Sequence, residues 1–168
     1  MSVNKVQDHI DAIQRKLEKS IKIAAKGPDM KLGDILKLGR KTNSIVSEIK
    51  KSISEYDGAD PTPDEAQVIL TKMEKVVELT EKELETMVQN KPRIDELRVG
   101  GLVKRNLLNS REAGAKFSAT LNEEAPDSLK PSAQALEERR TEAFDKAVQV
   151  FANAQGGEDQ DDGKDDSD

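Results

Sequence analysis

Residues 91–151 read KPRIDELRVGGLVKRNLLNSREAGAKF followed by SATLNEEAPDSLKPSAQALEERRTEAFDKAVQVF. The apolar spacing of this stretch decides the fold. A helix start at Pro92 leads into the row Val103, Leu107, Phe117 and Leu121. A second start near Asp127 leads into Leu129, Ala133, Leu136, Ala143, Phe144, Ala147 and Phe151. Steps of three and four residues place each row on one helix face. The Pro-containing link Glu124-Ala125-Pro126 is short, so the two helices run antiparallel as a hairpin. Its apolar seam needs partners, which the preceding residues supply.

Within the hairpin, Gly100-Gly101 marks a kink or a close helix approach. Ser110 and Gly114 stand where the row calls for core residues. Small residues there either draw two helices together, the first reading, or leave a hollow, the second. Arg140 falls on the apolar row between Leu136 and Phe144. Its stem can lie along the seam with its head in water. Alternatively, its guanidinium points into the bundle, to pair with an acid or a ligand carboxylate.

Upstream, three more helices read clearly. The first runs from about Ser2, a candidate cap, to Lys26, with Val3, Val6, Ile10, Ile13, Leu17, Ile21 and Ala24 on one stripe. Gly27-Pro28 ends it, and Asp29 can cap the next helix. That second helix spans about Lys31–Tyr56 and carries Leu32, Ile35, Leu38, Ile45 and Ile49 inward, with a break possible at Gly39. Thr62-Pro63-Asp64-Glu65 is the strongest start signal, a capping box with Pro at the first helical position. The third helix then runs to about Asn90 with Ile69, Met73, Val76, Val77, Leu84 and Met87 inward. The expected fold is all-α, an antiparallel bundle of four to five long amphipathic helices over residues 1–154.

Composition agrees with a thin bundle. The chain has 168 residues, 35% hydrophobic and 36% charged, and only 2% aromatic, so the core is aliphatic. The net charge is −6, and residues 155–168 account for all of it, with seven acids and one lysine. That segment, GGEDQDDGKDDSD after Gln155, offers nothing apolar to bury and is expected to be a disordered acidic tail. It does not fit an EF-hand loop, because no residue remains for the twelfth-position glutamate. The electroneutral remainder gives no reason to expect nucleic acid as a partner.

No cysteine is present, and the single histidine, His9, reads as a boundary residue rather than a metal ligand. No P-loop, GxGxxG or HExxH occurs, so an enzyme has no residue support and no cofactor is expected. No apolar run approaches the ~20 residues of a membrane span. The charged N-terminal residues lack the apolar core of a signal peptide, which reads as cytoplasmic.

Three passages resemble the hydrophobic surface-binding protein A family, the fungal cell-wall galactomannoprotein domain. Asp60–Asp95 is similar to its capped helix ending in a KKPxFD phrase. Val99–Leu121 is similar to its glycine-then-leucine helix. Ala125–Phe151 is similar to its P-x-x-L-x-x-x-A-x-x-L opening and AFDKA ending. The likeness covers about residues 3–154. It implies a bundle of four or five helices that binds hydrophobic surfaces, with fatty acids held inside some cell-wall members, and no enzyme activity. It also implies secretion, the alternative to the cytoplasmic reading. The inward positions it carries over are Val103, Leu107, Phe117, Leu136, Phe144 and Val148. With Ile49, Met73, Val76, Ser110, Gly114 and Arg140 on neighbouring inward rows, these are the candidate lipid-lining residues. This chain differs in its high charge, in N-terminal residues that read as no signal peptide, and in Arg140, where the family pattern is aliphatic. The alternative function is a protein-interaction bundle that binds a partner helix or self-associates.

Overall fold

The computed structural model describes residues 3–160 and 163–165, so Ser2, the expected cap of the first helix, lies outside the described residues. Among the described residues six α-helices occur in chain order: α1 Val3–Ala24, α2 Leu32–Tyr56, α3 Pro63–Gln89, α4 Lys91–Glu96, α5 Gly100–Glu124 and α6 Lys130–Val150. Single 3-10 turns occupy Gly27–Asp29 and Asp127–Leu129. No strand occurs among the described residues.

The start of α3 obeys the sequence rule closely. Thr62 Oγ1 accepts from Glu65 N at 3.2 Å, and Glu65 Oε1 accepts from Thr62 N at 3.0 Å. The start of α2 does not use Asp29. Instead the Asp34 carboxylate accepts from Lys31 N at 2.9 Å and pairs with Lys26 at 2.7 Å. Helix α2 passes through Gly39 unbroken, while Leu32, on its expected inner face, is exposed.

The helix expected from Pro92 onward divides into α4 and α5, and the break lies before the glycine pair rather than at it. Arg98 adopts φ 59°, and Val99 N donates to Ile94 O at 3.3 Å while Arg98 N donates to Asp95 O at 3.0 Å. This is a Schellman C-cap with arginine in the left-handed position that glycine usually takes. Gly100 and Gly101 become the first turn of α5.

Side-chain pairs fix the directions. Asp11 meets Lys72, and Asn90 Nδ2 donates to Ala24 O, so α1 and α3 run parallel. Lys5 and His9 meet Glu55 and Glu48, so α2 is antiparallel to α1. Arg111 pairs with Asp145 and Lys104 reaches Ala152 O, so α5 is antiparallel to α6. Packing neighbours run in the order α2–α1–α3–α6–α5 and back to α2, a closed ring of five long helices.

A ring of five cannot close-pack on its axis. At interaxial spacings of about 9 Å the helix axes stand roughly 7–8 Å from the centre, while each helix with its side chains has a radius of about 5–6 Å. The apolar interior accordingly falls into two clusters. One gathers Val6, Ile10, Ile13, Ile49, Tyr56 and Phe117; the other gathers Met30, Ile35, Ile94, Leu107, Phe144 and Phe151.

The tail departs from the expectation of disorder in its described part. Gly156 O accepts from Leu102 N at 2.9 Å, and Arg105 donates to Glu158 O. A Cβ on Gly101 would overlap the Glu158 carboxylate. The physical reason lies in α5: its first-turn N–H groups lack intrahelical acceptors, and the tail supplies a carbonyl and an anion there. Further on, Asn43 donates to Gly163 O and the buried Lys41 lies 3.6 Å from Asp165.

Candidate functional site: an apolar cavity inside the helix ring

Between the two clusters lies a cavity of about 90 Å³, lined by side chains from all five long helices. A water needs roughly 10–15 Å³ of such space, so the void is several waters large. Along α3 its wall runs from Met73 to Met87, about 21 Å at the helical rise. The void is therefore long and narrow.

Most sequence-selected residues meet on this wall. Ile49 comes from α2, Met73 and Val76 from α3, and Arg140 and Phe144 from α6. Helix α5 contributes Val103, Leu107, Ser110, Gly114 and Phe117. Two residues lie elsewhere. Leu136 lines a smaller apolar pocket with Tyr56, Leu70 and Leu129, and Val148 packs against the second cluster. Sequence reasoning missed Thr42, Thr80, Asn106 and Glu83 on the wall, because polar residues are read as solvated by default. Their signal was their place on inward rows, as with Ser110.

Arg140 is buried, not watered. Its Nε and Nη2 donate to Glu137 Oε2 and Oε1 at 3.0 and 2.8 Å, a bidentate pair, and the guanidinium lies 5.4 Å from the Phe144 ring centre. Burial opposes ionisation of Glu137, but hydrogen bonds from Arg140, Ser118 and Thr141 outweigh it and hold the carboxyl below its usual value. The two threonine hydroxyls on the wall are already engaged: Thr42 and Thr80 donate to Leu38 O and Val76 O of their own helices. Gly114 settles as a close approach. A Cβ there would stand 2.7 Å from Arg140 Nη1, so the glycine is the notch that admits the guanidinium.

Glu83 differs from these engaged groups. It shares the cavity wall with Thr80, Leu84 and Met87. The residue is only partly buried overall, yet its Oε2 is enclosed and has no hydrogen-bond partner among the described residues. Burial alone pushes its carboxyl up to about 7. A carboxyl in this state is neutral below neutrality and can donate a hydrogen bond.

The family model for hydrophobic surface binding protein A matches residues 3–123. The chain belongs to this family. No curated protein matches it in sequence. Solved structures share this member's fold at low identity. Afmp4p in complex with palmitic acid superposes with a TM-score of 0.85 at 16% identity, covering 89% of this chain and 99% of that one. Ligand binding domain 1 of Penicillium marneffei MP1, complexed with arachidonic acids, gives 0.80 at 19% identity over 90% and 99%. Domain 2 of the same protein, with multiple arachidonic acids, gives 0.80 at 18% over 91% and 97%. No helix of this member is long and apolar enough to cross a membrane among the described residues.

Proposed function

We propose that the protein is a non-enzymatic carrier that holds a long-chain fatty acid along the axis of its helix ring. The observation that carries this reading is the long apolar cavity between two core clusters, walled by all five long helices. Each methylene withdrawn from water contributes about 0.8 kcal/mol, so a long acyl chain supplies ample driving force. The fatty acids bound by Afmp4p and the MP1 domains, proteins of the same fold, support it. The exposed large apolar residues Leu32, Val68, Leu108 and Val150 fall on four different helices, which favours an internal site over a surface groove.

In this reading Ile49, Met73, Val76, Leu107, Phe117 and Phe144 flank the chain, and residues 1–154 form the binding unit. Gly156 and Glu158, just beyond that unit, cap α5. The working place of the protein is outside the cell, as family membership implies, in preference to the cytoplasm. The test is titration with palmitic acid of the protein and of Ser110→Leu, which puts bulk into the cavity from a half-buried position. The carrier reading expects saturable one-chain binding that weakens at least tenfold in the variant. Equal binding by a folded Ser110→Leu protein would remove the cavity from the account.

A further inference from the structure

A fatty acid has two ends, and the axial cavity has a clear answer for only one of them. The guanidinium of Arg140 is the obvious partner for a carboxylate head, but Glu137 already neutralises it in a bidentate pair. The hydroxyls of Thr42 and Thr80 are committed to their own helices. What remains on the wall with an enclosed, unpartnered polar atom is Glu83.

We propose that Glu83 is the head-group partner: as a carboxylic acid it holds the ligand's carboxylate through one shared proton. This rests on the fatty-acid reading of the cavity and adds the regulation of that same site. A protonated Glu83 donates O–H to the ligand anion, a charge-assisted hydrogen bond of the stronger kind. The pair carries one proton and one negative charge. Removing that proton would leave two carboxylates side by side in an apolar enclosure, which drives the ligand out.

The surroundings leave Glu83 to set the response. Across the cavity, α6 presents Arg140 with Glu137, and Arg139 is engaged outside with Glu81. On α1, between the contacts at Asp11 and Ala24, Glu18, Lys19 and Lys22 are exposed. The buried Lys16 lies on the α1 row of Lys5 and His9, which meet α2. Helix α2 places Lys41 against Asp165, and the α5 wall offers Asn106 and Ser110 but no charge. Burial raises the Glu83 carboxyl to about 7, so protonation and release fall in an accessible range.

The experiment measures the affinity for laurate, kept below its micelle threshold, from pH 5 to 9 for the protein and for Glu83→Gln. One linked proton requires the wild-type affinity to fall about tenfold per pH unit above 7, roughly 100-fold by pH 9. The amide of Glu83→Gln still donates, so its affinity stays within a few-fold of the wild-type value at pH 6 and is flat to pH 9. A variant that binds with the wild-type pH profile, or a wild type that binds equally at pH 6 and 9, overturns the role of Glu83 alone. A wild type that takes up no laurate at any pH overturns the carrier reading and this inference with it.

Discussion

At the scale of single residues, the interior charges set the behaviour. Glu83 has a carboxyl pushed up to about 7 by burial, against an ordinary value near 4.5. Below about pH 4.5 it is protonated both folded and unfolded, and it costs nothing differential. Between about 4.5 and 7 the unfolded chain ionises while the folded one keeps its proton, so stability falls as pH rises. Above 7 the full penalty applies, on the order of 3 kcal/mol. Chemical denaturation of the ligand-free protein should therefore find Glu83→Gln more stable than wild type by a few kcal/mol at pH 8, and nearly equal at pH 4.5. Arg140 makes the opposite case. It has its acid in Glu137, so Glu137→Gln leaves a buried cation half satisfied and should cost about 2 kcal/mol in the same measurement. Gly114→Ala should cost about 1–2 kcal/mol, because the new methyl displaces the guanidinium from its notch. Of these features the sequence announced Arg140 and Gly114 as anomalies on an apolar row. It could not announce that they explain each other, since they come from different helices.

At the scale of elements, signals set by local spacing were the legible ones. The α3 capping box and the antiparallel α5–α6 hairpin arise from local spacing, and the structure has both. The α4–α5 break was misplaced because the rule points to glycine, whereas here Arg98 takes the left-handed position and the glycines open the next helix. Gly101 is needed there for a long-range reason, the approach of Glu158, which local sequence does not encode. Arg98→Gly should raise thermal stability modestly, by about 0.5–1 kcal/mol, as it relieves an unfavourable φ. Thr62→Ala should lower it by about 1 kcal/mol through the lost cap. Differential scanning calorimetry of the two variants would separate these opposite signs.

At the scale of the whole molecule, the inward stripes specify a bundle but not its cross-section. Any four or five amphipathic helices can bury their stripes. Only the neighbour order α2–α1–α3–α6–α5 makes a ring, and only a ring leaves an axial space between two core clusters. This is why the residues of the wall were largely foreseen while the void itself was one of two readings. It also explains why Leu136 and Val148, equally inward by period, sit beside the cavity axis rather than on it. The most direct measurement is methyl NMR of the isotopically labelled protein titrated with palmitic acid. An axial acyl chain predicts shifts concentrated on methyls of Ile49, Met73, Val76 and Leu107, which α2, α3 and α5 turn toward the one cavity. Shifts confined to Leu32, Val68, Leu108 and Val150, with the interior methyls unmoved, would contradict an internal site and place the lipid on the outside of the bundle.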